Sequence, residues 1–251
     1  MSTVIAVGSV KGIGGATSTA LGLAAAAGEY SSGAVMVEAD PSGGSLLGWS
    51  EHLNATRPSL YEAASQHSLE LAMQRLGQVR VVPAQGDPWK ITVAIEGVRR
   101  WRPMLDDAGD IAVVDVGRLY PSSPALRIVG QADTLVLVAP PEAGPLAATI
   151  EWMLRGGQRS ANDTALDPAR MRLISVDTAT GRRARVDPNS LIRENLGVTY
   201  AGHIPSDDAA LSLLCRGTGL GHRRLTRSKL AYAHRNLLGS LVDLTALAGA
   251  R

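Results

Sequence analysis

Twelve residues near the start of the chain, Val7-Gly-Ser-Val-Lys-Gly-Ile-Gly-Gly-Ala-Thr-Ser18, constrain its fold more than any other stretch. The apolar run Val4 to Val7 reads as a buried parallel strand, and the small residues Thr17 to Ala27 read as the helix that follows. A glycine-rich turn between strand and helix lets backbone N–H groups point inward. The helix adds the positive end of its dipole, and the two together cradle phosphate. In the usual phosphate loop a Gly-Lys-Ser/Thr triplet opens the helix, with lysine on the outer phosphates and the hydroxyl on Mg²⁺. Here the triplet is Gly15-Ala16-Thr17, so the hydroxyl is kept and the lysine is absent.

The rest of the chain repeats the strand–helix alternation. Gly33 marks the turn into a second apolar strand, Ala34 to Ala39, which closes on Asp40-Pro41-Ser42-Gly43-Gly44. Helical spacing over Leu60 to Leu76 predicts two short helices, and Val79 to Val82 a short strand. Ile91 to Trp101 predicts a long helix that stops before Pro103. Strands follow at Ile111–Asp115, Thr134–Ala139, Met171–Val176 and Val198–Ile204, with a helix over Ala147 to Leu154 and a closing helix over Arg227 to Leu247. Such alternation implies an α/β fold, a doubly wound and mainly parallel sheet with helices on both faces. No linker or repeat divides the 251 residues, so residues 1–251 are expected to form a single domain, with Asn162 to Pro168 an exposed excursion.

Composition narrows the setting. Hydrophobic residues make up 45% and charged residues 19%, and no apolar run reaches the ~18–20 residues of a membrane span. Lys11 and the glycines interrupt the N-terminal apolar segment, which therefore does not read as a secretory signal. Cys215 stands alone, which excludes an intramolecular disulfide and a multi-cysteine metal cluster and fits a cytoplasmic setting. Net charge is +2 but uneven. Residues 1–150 carry 10 Lys/Arg against 14 Asp/Glu, and residues 151–251 carry 15 against 9. The basic half holds the clusters Arg182, Arg183, Arg185 and Arg216, Arg223, Arg224, Arg227, Lys229. These residues suit either a polyanion-binding face or an ordinary solvated one.

Two readings fit the glycine loop. Gly8-Ser-Val-Lys-Gly12-Ile-Gly14 matches the loop of short-chain dehydrogenases, with Glu38 or Asp40 as the ribose acid. That reading needs a Tyr-x-x-x-Lys pair, and none of Tyr30, Tyr61, Tyr120, Tyr200 or Tyr232 has lysine four residues on. Read from Lys11, the stretch Lys11-Gly-Ile-Gly-Gly-Ala-Thr-Ser18 resembles the deviant phosphate loop of the ParA/MinD partition and positioning ATPases. Further segments agree in the same order: Val35 to Gly43, Ala112-Val-Val-Asp115, Gln131 to Glu142, His203-Ile-Pro-Ser206 and Gly217 to Leu225. The departures are Ala16 for the phosphate-loop lysine, Ile13 for a glycine and Glu38 for an aspartate. With Asp115-Val-Gly-Arg118 they resemble a divergent actinobacterial-type branch.

The resemblance implies a P-loop NTPase fold and a site for ATP and Mg²⁺ between two subunits of a homodimer. Gly12, Gly14, Gly15, Ala16, Thr17 and Ser18 would form the phosphate loop, and Pro205 would lie beside the base. Thr17 would contact Mg²⁺, with Asp115 behind it. Asp40 would orient the attacking water, and Lys11 would reach the partner's phosphates. Without the Ala16-position lysine, the expectation is weak ATP binding with slow or absent hydrolysis. The alternative is an active ATPase that relies on Lys11. The same resemblance implies nonspecific DNA contact through Arg182, Arg183, Arg223, Arg224 and Arg227, and a protein cargo or regulator. The apolar tail from Asn236 to Arg251 lacks the basic face of the family's membrane-seeking helices, so no membrane anchor is expected.

Overall fold

The computed structural model describes residues 2–12, 14–156, 166–177, 186–193 and 197–243. In chain order the elements are β1 (Thr3–Ser9), α1 (Ala16–Ala27), β2 (Ala34–Glu38), α2 (Leu46–Trp49), α3 (Leu60–Ser65), β3 (Gln74–Leu76) and β4 (Val79–Val82). There follow α4 (Pro88–Gly97), α5 (Trp101–Ala108), β5 (Ile111–Arg118), α6 (Leu126–Val129), β6 (Thr134–Ala139) and α7 (Ala143–Leu154). The chain closes with β7 (Met171–Val176), α8 (Pro188–Arg193), β8 (Tyr200–Ile204), α9 (Asp208–Cys215) and α10 (Lys229–Leu241).

The strands form one sheet in the order β3-β4-β2-β5-β1-β6-β7-β8, parallel throughout except for β3 against β4. The inner strands are buried on both faces, and for that reason they read as unbroken apolar runs. One apolar layer packs α3 to α7 on one face around Trp101 and Leu105; the other packs α1, α9 and α10 on the opposite face around Leu21 and Leu238. β1 lies between β5 and β6, so the loop leaving its carboxyl end is flanked by strand ends on both sides. Ligands of open α/β sheets bind in this kind of crevice.

Several expected elements differ. Leu60 to Leu76 yields one α-helix, a 3₁₀ turn over Leu69–Ala72, and then β3 instead of a second helix. The two-residue connection Gly77-Gln78 turns β3 back onto β4, with Leu76 opposite Val79. The long helix over Ile91 to Trp101 is two helices broken at Val98 to Arg100. A proline in a helix interior lacks its N–H and clashes with the preceding turn, so Pro103 is accommodated in the first turn of the new helix α5. The closing helix is shorter at both ends. Ser228 caps it by accepting the Ala231 N–H at 3.0 Å, and Val242 is already extended. Leu237 and Leu238 are buried and Leu241 and Val242 pack on the same layer, whereas Leu244 lies outside the described residues. Among the described residues no helix is long and apolar enough to cross a membrane.

Candidate functional site

The glycine loop leaves β1 where the β1–β5 register shifts, between Val7 and Gly8. Gly12 and Gly15 have φ of 64° and 116°, in the left-handed region that favours glycine. Gly15 is the N-cap of α1, and no side chain caps the helix, so its first-turn N–H groups have no side-chain acceptor. The first helical bond runs from Thr19 N to Gly15 O at 2.9 Å, and the Ser18 hydroxyl donates to the same carbonyl at 3.1 Å. Ile13 lies outside the described residues.

Behind this helix start stands a row of acids. Register places Asp115 on β5 beside Val7 of β1 and Glu38 of β2. Asp115 is wholly buried; its Oδ1 accepts the Gly117 N–H at 3.0 Å, and its Oδ2 makes no hydrogen bond of good geometry. Burial pushes its carboxyl up to about 7, against hydrogen bonding from Thr17, with the charges of Glu38 and Asp40 adding to the rise. A buried, under-satisfied carboxyl next to a helix-opening hydroxyl is the donor set a hydrated cation suits. Among the described residues no cluster of His, Cys, Asp or Glu could hold a metal ion unaided, so a cation here would need ligand oxygens as well.

Glu38 has another occupation. Its Oε1 accepts the Ser45 N–H at 2.6 Å and the Leu46 N–H at 2.9 Å, and its Oε2 accepts the Ala84 N–H at 3.0 Å. Burial raises its carboxyl above the usual range despite those donors. It clamps the loops after β2 and β4 and has no face left for a ribose. Asp40 is half-buried; its Oδ1 accepts the Ser42 N–H at 2.8 Å, and its carboxylate packs over Gly117, where any side chain would overlap it.

Gly14, Gly15, Ser18 and Pro205 line one cleft of about 230 Å³, together with Asp177 and Asp207. The structure thus unites the loop with the late Ile204-Pro205 segment, 190 residues away in sequence, as Gly15 and Pro205 meet there. Lys11 is exposed on the loop, and Ala16 is buried in the α1 layer with 8% exposure. A larger cleft, about 700 Å³, lies between β8 and α10 and shares Ile204 and Pro205, but no glycine of the loop borders it. Arg223, Arg224 and Arg227 are exposed around the start of α10; Arg182 and Arg183 lie outside the described residues. The sequence reading passed over two contributors: Glu38 as a loop clamp, and Arg118, whose stem packs on Gly12. The loop-clamp role had no signal in sequence, since its donors are backbone N–H groups. For Arg118 the signal was the pattern Asp115-Val-Gly-Arg118 itself.

No protein-family model matches the sequence, and no curated protein does. Solved structures do match. The septum site-determining protein MinD complexed with Mg-ADP from Pyrococcus horikoshii OT3 superposes with a TM-score of 0.73 at 21% identity, covering 99% of each chain. A ParA family ATPase from Chlorobium tepidum TLS gives 0.71 at 17% identity, over 95% of this chain and 99% of that one. A putative plasmid partition protein from Borrelia burgdorferi B31, bound to AMPPNP, gives 0.64 at 13% identity, over 95% and 98%.

Proposed function

We propose that this chain, which has the fold of the ParA and MinD ATPases, binds ATP with Mg²⁺ weakly at its glycine loop and hydrolyses it slowly or not at all. Its role in this reading is that of a nucleotide-responsive or structural factor in DNA partition, cell-pole or septum positioning, or placement of a secretion apparatus. One observation carries the nucleotide reading: an uncapped helix start with Thr17 set against the buried, under-satisfied Asp115. Glycines and N–H groups of residues 12 and 14 to 18 would hold the phosphates. Thr17 would hold Mg²⁺, with Asp115 accepting from its water shell, and Pro205 would close on the base. Bound ATP supplies a polyanionic tail and a transferable phosphoryl group. In this reading Asp40, half-buried at the same strand ends, would orient water, and Lys11, exposed, would reach a partner subunit in a homodimer.

Weakness follows from Ala16. Phosphoryl transfer depends on positioning and on stabilising charge, and losing one such contact commonly costs ~2–4 kcal/mol at the transition state. Titration calorimetry with Mg·ATP tests the proposal: heat of binding in the millimolar range is expected, and its absence sinks the nucleotide reading. The active-ATPase alternative rests on Lys11. Phosphate release that exceeds an Asp40→Ala control would favour it.

The exposed Arg223, Arg224 and Arg227, with no acidic partner among the described residues, support a polyanion contact such as nonspecific DNA. A protein cargo or regulator would complete the system, in a cytoplasmic setting.

A further inference from the structure

We infer that Arg118 supplies, within one subunit, the positive charge that Ala16 leaves out of the phosphate loop. The inference rests on the nucleotide reading above and adds a residue to it.

The loop has a deficit of charge on independent grounds. Its helix start is uncapped, Asp115 behind it keeps one buried oxygen without a hydrogen bond of good geometry, and Ala16 contributes only a methyl group that faces the core. Three carboxyl groups, Glu38, Asp40 and Asp115, crowd the same strand ends. A polyphosphate entering there has acids behind the loop, Glu38 and Asp115 buried and Asp40 half-buried, and backbone N–H groups alone must hold it.

Arg118 is placed to offset this. The register shift between β1 and β5 sets Arg118 beside Ser9, the last residue of β1, and the Leu119 N–H donates to Ser9 O at 2.8 Å. That pairing fixes the Arg118 backbone at the root of the glycine loop. Its side chain then turns onto the loop. A Cβ on Gly12 would sit 2.9 Å from Arg118 Cδ, 3.5 Å from Cγ and 3.6 Å from Nε. The stem therefore lies on the loop backbone at Gly12, with the guanidinium one bond beyond Nε.

The guanidinium is also uncommitted. Arg102 is spent on Asp106 and Asp133, and Arg235 on Glu29. Arg118 is exposed and, among the described residues, its guanidinium has no hydrogen bond or ion pair. Its five N–H donors are free for a ligand, and a guanidinium grips phosphate oxygens in pairs. Lys11 differs in kind. In the homodimer reading it serves the partner's site, so its contribution needs two subunits, whereas Arg118 acts on its own loop in a monomer.

Binding measurements on the full chain separate these possibilities. Calorimetric Kd values for Mg·ATP and for inorganic tripolyphosphate are compared among wild type, Arg118→Met and Arg118→Lys, at protein concentrations where the chain is monomeric. Methionine keeps an apolar stem on Gly12 and removes the charge. Arg118→Met is expected to weaken both ligands about 10- to 100-fold, and Arg118→Lys to recover part of the loss. Ligand-free thermal midpoints of the Arg118 variants are expected to match wild type, because the side chain is exposed. Wild-type binding left unchanged by Arg118→Met would overturn the inference alone. No binding by wild type would remove the nucleotide reading and this inference with it.

Discussion

The imidazole of His234 on α10 lies directly against Gly22 on α1, so close that a Cβ at position 22 would overlap the ring. His234 is buried, its Nδ1 hydrogen-bonds the Leu230 carbonyl at 2.9 Å, and its Nε2 has no partner. This contact fixes how tightly the last helix sits on the helix that opens the glycine loop. Gly22→Ala is expected to destabilise the protein by roughly 2–3 kcal/mol through overpacking, read as a lower urea midpoint. Pairing Gly22→Ala with His234→Ala is expected to recover part of the loss, since the double variant removes the overlap.

Two buried groups give the folded chain a pH signature of opposing slopes. Burial lowers His234 to about 4, so the unfolded chain takes its proton first and stability from this group falls as pH drops from about 6.5 toward 4. Asp115 is raised to about 7, so its contribution is fully present below the ordinary aspartate pKa and is lost as pH rises through 7. Between about pH 4 and 6.5 the two slopes oppose each other, from about 6.5 to 7 only the Asp115 slope remains, and above that both are flat. Asp115→Asn is therefore expected to be more stable than wild type at pH 8, by an amount on the order of a few kcal/mol, and to expose the acid weakness of His234. Thermal midpoints of both proteins from pH 5 to 8 check this. Curves that stay parallel across the range would contradict it.

Glu38 is the anchor of two loops, and its loss is expected to loosen both. Glu38→Ala strands the amides of Ser45, Leu46 and Ala84, at a cost of about 1–3 kcal/mol for each buried amide left without an acceptor. Hydrogen exchange is expected to show lost protection at these three amides. Glu38→Gln is expected to be milder, because one amide oxygen still accepts from Ser45 and Leu46.

The basic face at the start of α10 makes a salt-dependent prediction. Low-salt gel shifts with arbitrary duplex DNA are expected to show binding that weakens steeply with salt. Arg223→Ala with Arg224→Ala is expected to flatten the log–log salt slope by about 2. Equal slopes for the variant and wild type would assign those arginines to a solvated surface.

The sheet was legible because buried parallel strands leave an uninterrupted apolar trace, as in Ile111 to Val114 and Leu135 to Ala139. β3 was not, because three residues, Gln74-Arg75-Leu76, are too short to show a period and the preceding segment has helical spacing. Order and residue type put the loop and Pro205 forward together, and the fold gathers Gly14, Gly15, Ser18 and Pro205 around one cleft. Glu38 and Arg118 could not be ranked that way. Whether an acid at a strand end faces a ligand or a row of backbone amides depends on where two loops pass. Whether an arginine reaches the loop depends on the register between β1 and β5.

The placement of β1 between β5 and β6 also sets a timetable for synthesis. Residues Thr3 to Ser9 find no sheet partner until Ile111 to Arg118 have been made, about a hundred residues later. At ~5–20 residues per second the apolar first strand waits roughly 5–20 s with its backbone unpaired. During that interval the nascent chain depends on whatever shields Val4 to Val7, and no truncation that ends before β5 can carry a formed glycine loop.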